Sequence, residues 1–170
     1  MYAAISNILK KFFKKSTIFK YGFNISPMYR RSTGKVLSVS DDLLRVQVKI
    51  PISYKNRNYV GSIFGGSLFS ATDPVFMVQL INILEDSYVV WDKKAEIKFK
   101  RPAKENSYVD FTFTEEEIAE IKERVKEEKE IDLIKEIKIT NKDASTVYAE
   151  VSKTIYIADK DYYKNKRKKK

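Results

Sequence analysis

The spacing of hydrophobic and polar positions changes several times along the chain, and each change predicts a new element. Near the N-terminus, apolar residues recur at helical spacing among lysines: Ile5, Ile8, Leu9, Phe12 and Phe13. From Lys35 the period changes to two, which predicts a pair of strands that ends before Pro51. Residues 66–84 are apolar on nearly every side, as expected of a buried helix.

Alternation resumes after residue 88 and predicts four more strands. Their apolar positions are Val89, Trp91, Ala95, Ile97 and Phe99; Val109, Phe111 and Phe113; Ile131, Leu133, Ile137 and Ile139; and Val147, Ala149, Val151, Ile155 and Ile157. Between the second and third of these strands, Thr114 and Glu117 have the spacing of a capping box, followed by an acidic amphipathic helix. This helix is therefore predicted to be an insertion between strands.

The order of these elements indicates one α+β domain over residues 35–159. Strands in hairpin order form a mostly antiparallel sheet, and a helix that is apolar all round is covered only if the sheet curls around it. Residues 1–34 are predicted to be a basic helical segment packed on the domain; a membrane-surface helix is the second alternative and a targeting segment the third. Residues 160–170 are predicted to be a basic disordered tail.

Composition then limits the chemistry. The 170 residues carry a formal charge of +10, but residues 36–159 hold 18 basic and 22 acidic side chains, so the excess lies at the ends and nucleic-acid binding is disfavoured. There is no cysteine and no histidine, which excludes disulfides, thiol nucleophiles and histidine-dependent triads or metal sites. We expect no cofactor or metal. The lack of cysteine fits the expected reducing, cytoplasmic location, and it would fit an oxidising compartment too.

A glycine-rich segment ahead of the apolar helix resembles a known family. The pattern "N..G..FGGSLFSATDPVF" over residues 58–76 is similar to "N..G..HGG.LF.LAD.AF" in hotdog-fold acyl-CoA thioesterases of the phenylacetyl-CoA type. The residues in register are Asn58, Gly61, Gly65, Gly66, Leu68, Phe69, Asp73 and Phe76. Downstream, "AEIKFKRPAKENSYVDFTF" resembles the strand, Arg-Pro turn and strand of the same fold. Together with "VVWDKKAEI", the "FGG…DP" wording is more similar still to a hotdog-like family of unknown function.

The resemblance, over roughly residues 25–157, implies a hotdog fold and an acyl thioester substrate such as acyl-CoA. It implies that Gly65, with Gly66, polarises the thioester carbonyl and that Asp73 activates water or attacks directly. Further candidates for substrate binding are Asn58, Gly61, Phe64, Ser67 and Arg101. Eight residues of helix separate Gly65 from Asp73 by about 12 Å. One carbonyl therefore requires the two residues from different protomers, which predicts a homodimer or homotetramer with the site at a subunit interface.

Two departures from the family pattern leave an alternative open. Phe64 stands where the thioesterases have histidine, and Pro74 directly follows Asp73. Because Asp-Pro is a common pair at the start of a helix, Asp73 could instead cap a helix that begins at Pro74. The leading hypothesis is an acyl-CoA thioesterase. The alternative is a non-catalytic module that binds acyl groups or adsorbs weakly to anionic membranes.

Overall fold

The structure is a computed structural model that describes residues 13–168. Its helices are α1 (Lys15–Ile25), α2 (Pro27–Arg31), α3 (Gly65–Ser70), α4 (Val75–Leu84), α5 (Glu115–Glu128) and α6 (Lys160–Lys168). Its strands are β1 (Lys35–Val39), β2 (Arg45–Ile50), β3 (Tyr88–Phe99), β4 (Ser107–Thr112), β5 (Glu130–Thr140) and β6 (Val147–Asp159). The predicted helical pattern through Ile5, Ile8, Leu9 and Phe12 lies outside the described residues.

The six strands form one antiparallel sheet in the order β1-β2-β4-β5-β6-β3. Within β1-β2-β4 and within β5-β6-β3 the strands pair along most of their length, with a few one-residue register shifts. Between the two halves, β4 and β5 share only the pair Tyr108↔Thr140. The sheet opens there, and a cleft of about 1540 Å³ runs between the separated strands.

The central helical segment lies against the inner face of the sheet and forms the middle of the core. Phe76 of α4 is buried and meets the rings of Phe111 and Phe113 edge-on, with centroids 5.0 and 5.3 Å away. Such edge-to-face pairs add to the free energy gained by burying the rings. A curled antiparallel sheet around an apolar helix is the hotdog fold, which confirms the predicted fold class.

The helix predicted over 66–84 is interrupted. It consists of α3 and α4, which are separated by residues 71–74. Within the described residues, the segment Gly65–Ser87 is long and apolar enough to cross a membrane, but 44% of its apolar window is buried in the domain. A core helix meets the same criteria, so this segment is only weak evidence for a membrane span.

The inward-facing residues in the first half of β3 differ from the predicted ones, because the strand contains a bulge. The register with β6 shifts between Asp92 and Lys94, so one extra residue enters the strand. As a result Val90 is buried and Trp91 is exposed, although Trp91 was predicted on the same face as Ile97. A bulge reverses which side chains point inward, because side chains alternate with a period of two.

Both flanking segments are helical where the structure describes them. Phe19 and Phe23 of α1 stack at 4.7 Å, and with Tyr29 they belong to the buried core. Lys160–Lys168 forms α6, and Lys166 pairs with Glu130 at 2.6 Å, whereas the composition predicts a disordered tail. The predicted tail is therefore helical through Lys168. The capping box of α5 is present, with Thr114 and Glu117 as its two members.

Candidate functional site

Gly65 and Gly66 form the first turn of α3, directly after Phe64. The N–H groups of a first turn have no acceptor within their helix, so they remain available to a ligand. A Cβ on Gly65 would lie 2.8 Å from the ring of Phe99, which shows how closely the end of β3 approaches this backbone. We refer to Phe64, Gly65 and Gly66 as the glycine corner.

The loop before the glycine corner is fixed by Asn58. Its Oδ1 accepts hydrogen bonds from the N–H groups of Val60 and Ser62, at 3.1 and 3.0 Å. Gly61 has φ +78°, a backbone conformation that favours glycine. The side chain of Asn58 and the backbone conformation of Gly61 thus fix the loop that leads to Gly65.

The Arg-Pro turn lies beside this loop. The N–H of Ile63 donates to the carbonyl oxygen of Ala103 at 2.8 Å, which joins the loop to the residues just after Arg101. Arg101 is exposed and lines a small cleft of about 420 Å³ with Lys100 and Glu150. Ser67 is buried inside α3. The fold thus brings the glycine corner and the Arg-Pro turn to one end of β3.

Asp73 does not cap α4. The residue at the cap position is Pro74, and no side-chain cap bond is present. Instead, Nζ of Lys153 donates to Oδ1 of Asp73 at 2.6 Å. The Asp73 side chain is 54% exposed, whereas that of Lys153 is 1% exposed. Asp73 is therefore a solvent-accessible carboxylate, and its Oδ1 accepts a hydrogen bond from a buried ammonium group.

A second carboxylate completes this cluster. Nζ of Lys153 also donates to Oδ2 of Asp92 at 3.1 Å, and the Asp92 side chain is 19% exposed. Sequence reasoning missed both Lys153 and Asp92. The available signal was a lysine within the inward-facing series Val151, Ile155 and Ile157, where only apolar residues are expected.

The two carboxyl groups differ in their affinity for a proton. Burial acts to raise the pKa of Asp73, but hydrogen bonds with Lys153 and Asp92 and the charge of Lys153 outweigh it, so the pKa is lowered. Burial and the interaction with Asp73 raise the pKa of Asp92, although Lys153 opposes this. Asp73 is consequently ionised at neutral pH, and Asp92 takes up a proton before Asp73 does.

Within one chain, the glycine corner and Asp73 lie at different places along β3. Gly65 faces Phe99 at the end of the strand, whereas Asp73 lies near Asp92 and near Lys153, which is paired with Ala95. None of the predicted site residues lines the large cleft between β4 and β5. The structure therefore supplies an exposed carboxylate and a set of free N–H groups as separate features of the same face.

This arrangement suits the hydrolysis of an activated acyl group. An ionised carboxylate can take a proton from water, and free N–H groups at a helix start can stabilise an oxyanion. Within residues 13–168 no cluster of acidic residues could hold a metal ion. This face presents carboxylates, a lysine and backbone amides.

The fold is that of the hotdog thioesterases. This chain is similar to a Pseudomonas aeruginosa protein of unknown function described as a probable thioesterase (20% identity, TM-score 0.70). The match covers 85% of this chain and 93% of that chain. It is also similar to a Haemophilus influenzae thioesterase (10% identity, TM-score 0.58), with 86% of this chain and 94% of that chain covered. A third similar structure is the PaaI protein of the E. coli phenylacetic acid degradation operon (13% identity, TM-score 0.53), with 79% of this chain and 86% of that chain covered.

Residues 15–157 match the family model described as a domain of unknown function, DUF4442. The chain belongs to this family. No curated protein matches its sequence. The predicted similarity to hotdog thioesterases, and to a hotdog family of unknown function, is confirmed.

Proposed function

We propose that this protein is an acyl-CoA thioesterase in which Asp73 is the catalytic carboxylate. The observation that carries the proposal is the state of Asp73: it is half-exposed, it does not cap a helix, and a buried lysine holds one of its oxygens. Burying an ammonium group destabilises the folded protein unless its ion pairs offset the lost hydration. A buried lysine partner is therefore not expected beside a surface aspartate that has no function. The thioesterases among the structural relatives supply the class of substrate.

In the proposed reaction, Asp73 takes a proton from a water molecule as the water oxygen attacks the thioester carbonyl. The carbonyl oxygen becomes an oxyanion, which the N–H groups of Gly65 and Gly66 stabilise. The carbon–sulfur bond then breaks, and the proton on Asp73 passes to the leaving thiolate. The products are a carboxylic acid and free coenzyme A, and the carboxylate of Asp73 is restored.

The oxyanion donors for one Asp73 come from the glycine corner of a second protomer in this proposal. β3 is 12 residues long and forms an edge of the sheet, with β6 as its neighbour on one side. An exposed edge of this length readily pairs with another strand. Antiparallel pairing of two β3 strands about a two-fold axis between Ala95 and Glu96 would place Phe99 of one strand opposite Asp92 of the other.

We therefore expect the protein to be a dimer or a larger assembly in solution. Light scattering at micromolar protein concentration should give at least twice the mass of the 19.9 kDa chain. The double variant Trp91→Lys/Phe99→Lys, which charges two exposed side chains of β3, should dissociate at that concentration. Tyr54→Lys/Tyr59→Lys, which charges two even more exposed aromatic residues in the loop before the glycine corner, is the control and should remain assembled. A compact monomer of the unmutated protein would contradict the interface.

Hydrolysis of a panel of acyl-CoAs of different chain length and aromatic character tests the function. Release of free thiol is measured under steady-state conditions with the full chain. We expect turnover with at least one member of the panel. Absence of release with every member would favour the alternative, an acyl-binding module without catalysis.

A second candidate function, adsorption to anionic membranes, is favoured by the outer face of α1 and α2. Tyr21, Ile25 and Met28 are each more than half exposed on this face. The first 40 residues contain eight basic side chains and no acidic one, so the surroundings of this face attract anionic lipid headgroups.

This adsorption is tested with lipid vesicles. Full-length protein should sediment with vesicles that contain phosphatidylserine, and less so at high salt, because salt screens the attraction. Tyr21→Ser/Ile25→Ser/Met28→Ser should reduce the bound fraction about tenfold, since three apolar side chains no longer enter the interface. Tyr54→Ser is the control for loss of an exposed aromatic residue elsewhere. Equal binding by the triple variant and the unmutated protein would contradict the role of this face.

A further inference from the structure

Lys153 occupies a position where packing alone predicts an apolar residue. It lies on the inner face of β6 between Val151 and Ile155, and all three residues are at most 1% exposed. A buried ammonium group loses its hydration, and its ion pairs only partly offset this cost. Apolar residues of similar volume at such positions are often neutral or stabilising. Stability therefore does not account for a lysine here.

Asp92 reaches the same place through the bulge in β3. If the alternation of Ala95, Ile97 and Phe99 continued without interruption, Asp92 would point to the outer face. The register shift between Asp92 and Lys94 turns it inward, opposite Ile155. Its Oδ1 is buried and has no hydrogen-bond partner among residues 13–168. Bulges that redirect a side chain are frequent beside active sites.

Three features thus meet at the Lys153 ammonium group: the break in the central helix places Asp73, the bulge in β3 places Asp92, and Nζ of the buried lysine donates to both carboxylates. We propose that Lys153 and Asp92 are positioning residues for the reaction at Asp73. Lys153 fixes Oδ1 of Asp73, and Asp92 holds the Lys153 ammonium group between the two carboxylates. This inference rests on the proposed thioesterase function, and it identifies residues that the family motif does not contain.

The positioning has an electrostatic consequence. The charged groups that face Asp73 are Lys153 from β6 and Asp92 from β3; residues 65–84 contain no other charged side chain. Their neighbours are already paired: Lys93 with Asp132, and Lys94 with Glu96. Lys135, opposite Lys153 on β5, is bound by Glu117 at 2.7 Å. Lys153 is consequently the cation that opposes the effect of burial on the pKa of Asp73.

The sign of the expected pH dependence follows from this opposition. With Lys153 present, the pKa of Asp73 lies below its ordinary range, so the active carboxylate persists into mildly acidic solution. Without Lys153, its hydrogen bond and its charge no longer oppose the effect of burial, and the pKa of Asp73 rises. The acid limb of the pH–rate profile should then move to higher pH by the same amount.

The test uses the double variant Lys153→Met/Asp92→Asn, because Lys153→Met alone leaves a buried carboxylate without its partner and can prevent folding. The pKa of Asp73 is measured by NMR titration of its side-chain carboxyl carbon, which is assigned with Asp73→Asn. In parallel, kcat/KM for the best acyl-CoA is measured against pH. We expect the pKa of Asp73 to rise by about one pH unit or more, and the acid limb of kcat/KM to follow it.

Lys135→Met is the matched control. It removes a largely buried lysine from the neighbouring strand, and that lysine is bound to Glu117 rather than to Asp73. It should leave both the pKa of Asp73 and the pH–rate profile unchanged. An unchanged pKa of Asp73 in the double variant would overturn the inference, as would a raised pKa without a shift of the acid limb. If the unmutated protein hydrolyses no acyl-CoA, the thioesterase proposal fails, while the NMR titration still decides whether Lys153 and Asp92 together control the pKa of Asp73.

Discussion

Replacement of Asp73 by asparagine is expected to lower acyl-CoA turnover by about a hundredfold or more, the usual effect of losing a general base. Asparagine has nearly the same shape as aspartate, and its Oδ1 can still accept the hydrogen bond from Lys153. Asp92 continues to neutralise that lysine at 3.1 Å. The free energy of unfolding should therefore change by only about 1 kcal/mol, typical of single substitutions.

This prediction is checked by steady-state kinetics and urea denaturation of the same preparation. Asp132→Asn is the matched control, because it removes a carboxylate that is paired with a lysine at 2.6 Å on the outer surface. The control should keep full turnover. Full turnover by Asp73→Asn would mean that Asp73 serves only as a counter-ion for Lys153. The proposed role of Asp73 would then be wrong, although the fold would be unaffected.

Gly65→Pro should lower turnover by about 10²–10³-fold, the range observed when one oxyanion-hole donor is removed. Proline lacks the backbone N–H that the proposed mechanism requires. The first turn of a helix accepts proline, because the missing donor has no partner within the helix. The preceding residue is compatible as well, since Phe64 has φ −57° and ψ 130°, the extended conformation favoured before proline.

Gly65→Ala separates loss of the N–H group from the added bulk. Alanine keeps the donor, but its Cβ would approach the Phe99 ring in the same way, at 2.8 Å. Phe99 is more than half exposed, so its ring can turn away from the new atom. We expect Gly65→Ala to retain turnover within about tenfold of the unmutated protein, corresponding to at most 1.4 kcal/mol. Equal losses in the alanine and proline variants would show that bulk, and not the donor, matters at Gly65.

The regular parts of the fold could be predicted from periodicity. The strand pair that ends before Pro51, the four later strands and the capped acidic helix all contain enough periodic positions to be recognised, although a bulge reverses the faces of part of β3. The apolar helix and its sheet followed because a surface that is apolar all round has to be covered. These features depend on averages over many residues, so local exceptions did not alter them.

The site depended on such exceptions. The bulge at Asp92 adds one residue and reverses the inner and outer faces of β3, and the pattern through Val89 and Trp91 gave no sign of it. The alternating pattern does not draw attention to Lys153, because its apolar neighbours on the same face are enough to define the strand. Similarly, the Asp-Pro pair left open that Asp73 is a cap, whereas a tertiary contact from a residue 80 positions away occupies its carboxylate. Long-range ion pairs leave no local spacing to detect.

The single pair between β4 and β5 has a consequence for how the family can vary in length. α5 is inserted between these two strands, at the one junction of the sheet where almost no ladder hydrogen bonds have to be kept in register. Segments can lengthen or shorten at such a junction without shifting the pairing on either side. The domain is in this sense two three-stranded units joined mainly by the helix that they enclose. Insertions can then accumulate at that junction during evolution. The groups around Asp73 lie on β3, β6 and the central helical segment, so their geometry is retained.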